Sequence, residues 1–336
     1  MKTVFKAALA AASMIVSAQV AYALDKVTVG TNWLAQAGHG GFYQALADGT
    51  YEKHGLDVTI DMGGPQVNNR PMLAAGRLDF LLTGNLLLTF NNVANDVPTT
   101  VVAAFYQKDP QVLMAHEGAY KDFQDLTNAP AILLAKDGQF SYWLWLVKEF
   151  GFRDEQIRPY GYSLAQFLSD EKMVQQAYAT AEPLYAAKEG AKPVSYLLAD
   201  YGYNTYANTV ETRTELIEKN PDLVQRFVDA TIIGWYNFLY GDRSAAYELI
   251  LKDNPDMKAE TLDAELARIM ELDLIDSGEA AENGIGAISM ERVKDFYDLA
   301  VASGIVEKAD LDLSKVATDQ FVNKGVGIDV KKQLKP

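Results

Sequence analysis

Between Val27 and Leu82 the chain alternates short β-rich runs with helical patterns, and turn-forming residues separate them. Val27-Thr28-Val29 ends at Gly30. Gly40-Gly41 opens a helical pattern with Phe42, Ala45, Leu46 and Tyr51 at helical spacing, closed by Gly49 and Gly55. Leu56 to Ile60 alternates Leu, Val and Ile with Asp57 and Thr59, which is the period of a strand. Asn68-Asn69-Arg70-Pro71 starts another helix, with Asn69 placed to cap it and Pro71 suited to its first turn. Gly76 ends that helix, and Leu78 to Leu82 reads as the next strand. A β-α-β-α-β order favours parallel pairing and an α/β fold.

The alternation resumes further along. Thr99 to Phe105 and Val112 to His116 are apolar strands on either side of Asp109-Pro110. Ala131 to Ala135 is a strand, and Ser141 caps a helix through Trp143, Leu144, Leu146 and Val147 that ends at Gly151. Ile157 to Tyr162 is extended, Glu182-Pro183 starts a short helix, and Val194 to Leu198 is a strand. Beyond Asn220-Pro221 the pattern turns helical, and the lysine-rich tail from Val330 reads as frayed. The order is α/β, α/β, then a helical return. Two α/β lobes joined by a chain that crosses over and comes back leave a cleft between them. Crevices at the carboxyl ends of parallel strands are where small ligands bind.

The N-terminus carries its own pattern. Lys2 and Lys6 precede a small, apolar run from Ala7 to Val20, and Ala21-Tyr22-Ala23 fits signal cleavage before Leu24. The run is shorter than the roughly 20 residues a membrane span needs. Residues 1–23 are therefore expected to be a signal peptide, and the mature protein periplasmic and soluble. The chain has no cysteine, so it forms no disulfide and carries no lipid on a cysteine. Its 336 residues favour two domains stabilised by core burial. A formal charge of −15 argues against nucleic acid or an anionic membrane as partner.

Several segments together resemble a known family. Asn32-Trp33, then His39-Gly40-Gly41-Phe42-Tyr43-Gln44-Ala45, is followed by Tyr51, Gly55-Leu56-Asp57-Val58, Gly63-Gly64-Pro65, Ala75-Gly76 and Asp79-Phe80. Phe105-Tyr106-Gln107-Lys108-Asp109-Pro110 and Tyr178-Ala179-Thr180-Ala181-Glu182-Pro183 continue the series. In this order they are similar to the solute-binding proteins of ABC importers of the nitrate/taurine and thiamine-pyrimidine type. The resemblance implies a type II periplasmic-binding-protein fold, with two α/β lobes joined by a two-strand hinge and closing on a ligand. It implies lobe one at 24–115 plus 208–336 and lobe two at 116–207. It further implies a monomer that needs no cofactor and hands a small molecule to a permease with its ATPase.

The expected site residues lie near strand ends and helix starts. Trp33 either stacks a planar ring or belongs to the core. Gln36 and His39 bond a ligand or cap the helix after them. His39 is not expected to hold a metal, because His54 and His116 have no ligand spacing to it. Gly63 and Gly64 allow close backbone approach, or form a plain turn, and they lack the spacing of a dinucleotide fingerprint. Asn85 offers an amide and Tyr106 a phenol. From the second lobe come Tyr142, Trp143, Tyr160, Tyr178 and Glu182. One of Trp143 and Trp145 is expected to face the core, and Glu182 either caps its helix or accepts from a ligand amino group.

These cleft positions are mostly aromatic, with Arg70 and Lys108 the nearest cations. A sulfonate or nitrate needs cations or several aimed donors, whereas a planar nitrogen heterocycle needs stacking faces and a few polar partners. A thiamine-related pyrimidine precursor is therefore the expected ligand, with riboflavin or an alkanesulfonate or nitrate as alternatives. No catalytic residues are assigned. The reading from a different class is a pyrimidine-synthesising enzyme of the same fold, against which the export signal and the scattered histidines count.

Overall fold

A computed structural model of the chain describes residues 23–64, 67–307 and 310–335. The expected leader, apart from its last residue, and Pro65 of the Gly-Gly-Pro turn lie outside the described residues.

Two sheets organise the molecule. The first contains β1 (Asp25–Gly30), β2 (Leu56–Asp61), β3 (Phe80–Asn85), β4 (Thr99–Tyr106) and, from much later in the chain, β10 (Ala207–Arg213). The second contains β5 (Gln111–His116), β6 (Ile132–Leu134), β7 (Ile157–Pro159), β8 (Val174–Tyr178) and β9 (Pro193–Leu197). Their orders are β2-β1-β3-β10-β4 and β7-β6-β8-β5-β9. Parallel pairing holds where the βα alternation predicts it, with Val27 opposite Val58 and Val29 opposite Phe80. Each sheet also takes one antiparallel strand between two others: β10 between β3 and β4, and β5 between β8 and β9. The sheets are therefore mixed. The inserted strands run the other way because the chain enters each of them from the opposite sheet. It crosses over Gln107–Pro110, and again between Leu197 and Ala207.

The principal helices are α1 (Gly40–Ala47), α2 (Leu86–Ala94), α3 (Tyr142–Phe150), α4 (Glu182–Lys188), α5 (Pro221–Tyr240), α6 (Ser244–Asp253), α7 (Ala259–Glu271), α8 (Met290–Ala302) and α9 (Ile328–Leu334). Local chemistry starts several of them. Asn220 caps α5 by accepting from the Leu223 amide, Ser289 caps α8 through Arg292, and Asn85 caps α2 through Leu87. Asn69 does not cap the helix after it. Its Nδ2 instead donates to the Thr31 carbonyl at 3.0 Å and ties that turn to the end of β1. The lysine-rich tail does not fray into a coil. It forms α9, anchored by Lys331 Nζ at 2.7 Å from Asp276.

The first core lies between the β1–β4 sheet and the α1–α5 pair. Phe80 and Phe227 stack at 3.9 Å between centroids, and Phe42 meets Phe105 edge-on. Helices α1 and α5 approach closely because both contacts are glycine. A Cβ on Gly41 would fall on the Trp235 indole, and one on Gly234 would fall on the Gly41 carbonyl. Glu211 on β10 is fully buried, and it accepts from Thr89 Oγ1 (2.6 Å), Thr99 Oγ1 (3.0 Å) and Asn92 Nδ2 (3.0 Å). Those bonds offset its loss of water. The second sheet builds its core from Phe123, Trp143, Trp145 and Phe152.

Gly41→Ala or Gly234→Ala is expected to destabilise the protein by about 1–3 kcal/mol, through the overpacking each Cβ creates. Urea unfolding measures this. Gly161→Ala is the control, because a Cβ there meets nothing within 4 Å.

Candidate functional site

The parallel strands of both sheets end toward one junction. Trp33 follows β1 in a bend and is 38% exposed, and its ring centre lies 6.2 Å from that of Tyr162, which follows β7. Asn85 ends β3, and its Nδ2 donates to Asp109 Oδ2 at 3.2 Å. Tyr106 ends β4 with its ring buried, and Tyr178 ends β8 half-buried. Helix α4 reaches α7 across the junction: Tyr185 OH donates to Glu265 Oε1 (3.3 Å) and Lys188 Nζ to Thr261 Oγ1 (3.2 Å). A cavity of about 340 Å³ opens between Trp33, Gln36, Tyr185, Lys188, Met257 and Thr261. A second, of about 270 Å³, lies between Asn85, Leu88, Phe140 and Ile305.

The interior of the junction is phenolic and acidic. Glu182 Oε2 accepts from the Tyr178 amide at 2.7 Å, and its Oε1 accepts from Tyr160 OH at 3.1 Å. Burial holds the Glu182 carboxyl above its ordinary range. Asp109 is 1% exposed and accepts from the Gln111 amide at 3.0 Å as well as from Asn85. Burial pushes it up to about 6. Glu265 on α7 accepts from the Ala37 amide at 3.0 Å, and burial pushes it up to about 7. The Tyr142 hydroxyl is buried, without a hydrogen-bond partner, and lies in the field of Asp109 and Glu182. Tyr203, from the second crossing, packs edge-on against Tyr142 and has an equally unpartnered hydroxyl.

The family model described as NMT1/THI5 like matches residues 36–241. The chain belongs to this family. This NMT1/THI5-like chain is 23% identical over 310 residues to the riboflavin-binding protein RibY of Chloroflexus aurantiacus, spanning 90% of this chain and 87% of that one. Its fold matches the periplasmic aliphatic sulphonate binding protein SsuA of Escherichia coli with a TM-score of 0.63 at 14% identity, covering 87% of this chain and 91% of the other. It also matches the desulfurization enzyme DSZB with a TM-score of 0.58 at 12% identity, covering 91% and 99%. The two α/β lobes are those of the periplasmic-binding-protein fold.

Within this NMT1/THI5-like chain the expected residues divide. Trp33, Gln36, Asn85, Tyr106, Tyr142, Tyr160, Tyr178 and Glu182 gather at the junction. Trp143 does not: it is buried in the second lobe, edge-on to Phe152, with Nε1 donating to Asp154 Oδ1 at 2.8 Å. Trp145 is buried as well, against Tyr203 and Phe150, so both indoles of α3 belong to packing. His39 lies buried beneath the Trp33 loop, where its Nε2 pairs with Asn32 Oδ1 at 3.1 Å, and burial lowers it to about 3, so it is neutral. It makes no side-chain cap, and neither does Gln36. The Gly63 amide is taken by Thr31 Oγ1 at 2.9 Å, and a Cβ on Gly63 would strike the Asn32–Trp33 backbone. Gly63 therefore serves close packing of two loops rather than a ligand, and the Gly64 carbonyl accepts from the Val67 amide.

Sequence reasoning missed Asp109, Tyr162, Tyr185, Tyr203 and Glu265. Asp109 stood in plain view, but an aspartate before proline reads as a turn. Glu265 carried a signal. It occupies the buried stripe of α7 with Leu262, Leu266 and Ile269, where a charge has no place unless it has a partner.

The raised carboxyls set a pH dependence. A carboxyl whose folded value exceeds its unfolded value contributes stability that is complete at low pH and is lost as pH rises through the folded value. For Glu265 that window runs from 4.5 to about 7. The urea midpoint is expected to fall across this range, and Glu265→Gln to flatten part of the fall. A slope unchanged in the variant would show that Glu265 does not contribute.

Proposed function

We propose that this chain is the solute-binding protein of an ABC importer and holds a small planar heterocycle in the junction between its two lobes. The observation that carries the reading is the convergence of aromatic side chains following strand ends of both sheets: Trp33 and Tyr106 from one, Tyr160, Tyr162 and Tyr178 from the other. Flat rings stack on such faces. The strand-end crevice is also where α/β proteins bind small molecules. A relative named for riboflavin and a structural neighbour named for sulphonates both support a receptor role.

The expected bounds, 24–115 plus 208–336 and 116–207, would cut β5 from β8 and β9, with which it pairs, so the lobes are taken as 24–110 plus 207–336 and 111–206. The proposed ligand is a thiamine-related pyrimidine precursor, and riboflavin is the nearest alternative. Delivery to a permease with its ATPase follows from the receptor role, as do a periplasmic location and removal of residues 1–23. No described helix is long and apolar enough to cross a membrane. The DSZB likeness keeps an enzyme of this fold as the contrasting reading.

Thermal-shift screening of hydroxymethyl- and aminomethyl-pyrimidines, riboflavin, taurine and nitrate tests the proposal. A bound heterocycle is expected to raise the melting midpoint and to be recovered unchanged. Stabilisation by an alkanesulfonate alone would overturn the heterocycle reading, and turnover of the ligand would overturn the receptor. Trp33→Ala is expected to weaken the bound heterocycle by about 1–3 kcal/mol, the scale of aromatic stacking.

A further inference from the structure

The junction buries carboxylates without burying cations to match. Among the described residues, no ion pair includes Asp109, Glu182 or Glu265. The nearby cations are engaged elsewhere. Lys108 Nζ donates to the Leu272 carbonyl, Arg292 pairs with Glu279 at 2.9 Å and lies over the Tyr206 ring, and Lys188 donates to Thr261. Of these, Lys188 alone faces one of the carboxylates, Glu265. Asp109 has two hydrogen-bond donors and no positive charge, in a site from which water is excluded. Beside it are two buried phenols, Tyr142 and Tyr203, whose hydroxyls find no partner in the protein.

Each of these is costly alone. A buried charge without a counterion is strongly unfavourable, and an unmet buried hydroxyl adds its own desolvation penalty. Their coincidence at one point suits a ligand group whose charge and hydrogen bonds match theirs. That group must bring positive charge or N–H donors to Asp109, and it must tolerate aromatic faces, which themselves attract cations.

We propose, resting on the receptor reading above, that Asp109 with Tyr142 and Tyr203 forms a subsite for a cationic nitrogen of the ligand, an amidinium or protonated amine, so that the cleft selects by positive charge. The same arrangement repels the sulfonates for which a structural neighbour is named, because an anion would face carboxylates with Lys188 alone, among the nearby cations described, facing one of them.

Three probes of nearly one shape separate charge from stacking: benzamidine (cation), benzamide (neutral) and benzoate (anion). With the full mature chain, competition or calorimetry is expected to rank benzamidine above benzamide and to find no benzoate binding. Asp109→Asn is expected to weaken benzamidine by roughly 30-fold or more, as loss of one partner of a buried charge pair does. It should leave benzamide within a few-fold. The ligand-free variant supplies a second readout. Removing an uncompensated buried charge should hold or raise the melting midpoint, whereas an aspartate satisfied by the protein itself would lower it. Equal binding of benzamide and benzamidine, or a fall in the ligand-free midpoint of Asp109→Asn, overturns the charge subsite. Neither result touches the receptor role, which the preceding panel overturns by turnover of a bound ligand.

Discussion

The architecture depends on the chain crossing between the sheets twice, each time feeding a strand into the interior of a sheet rather than onto its edge. β5 lies between β8 and β9, and β10 lies between β3 and β4. The first sheet cannot complete its ladder until the chain has visited the second and returned as β10. The crossings are short, so the two sheets are held side by side with the carboxyl ends of their parallel strands facing one another. That placement brings Asn85 within hydrogen-bond reach of Asp109 and sets Trp33 over Tyr162. The cleft follows from connectivity, and its side chains only have to fill it.

The polar groups buried near the crossings are of two kinds. Glu211 sits in the first sheet with three donors converging on it, and Thr83 and Thr209 share a 2.7 Å hydrogen bond across neighbouring strands. These groups are satisfied within the lobe. Tyr142 and Tyr203 lie between the lobes and their hydroxyls are not, while Asp109 beside them has two hydrogen-bond donors and no cation. A protein interior satisfies nearly all of its buried polar groups. At the junction two of the exceptions, the Tyr142 and Tyr203 hydroxyls, fall beside one carboxylate, Asp109.

Much of this was legible in the sequence where a local rule acts alone. The Asn220-Pro221 start, the Ser289 cap and the alternation of β1 to β3 are local chemistry, and they appear as read. Reading failed where a distant partner decides. Val174–Tyr178 carries no clear strand alternation in the sequence, because Gln175 and Gln176 are polar. Gln175 is nevertheless buried, and Gln176 accepts the Ala135 amide. Gly40-Gly41 opens α1 as read, but the need for glycine there comes from the distant approach of Trp235 and Phe238. Trp143 shares its helix start with Tyr142, and only tertiary packing turns one into the core and the other to the junction. Antiparallel insertion could not be read from any strand, because direction depends on which sheet the chain has just left.

The four tryptophans are distributed unevenly. Trp143, Trp145 and Trp235 are sealed in packed cores, whereas Trp33 sits half-open at the mouth with a tyrosine of the opposite lobe beside it. The ultraviolet emission of this protein is therefore a steady background from three fixed indoles plus the signal of one whose solvent contact depends on lobe separation. If the lobes close on a ligand as the proposed receptor role requires, Trp33 reports that closure without a label and without an introduced residue.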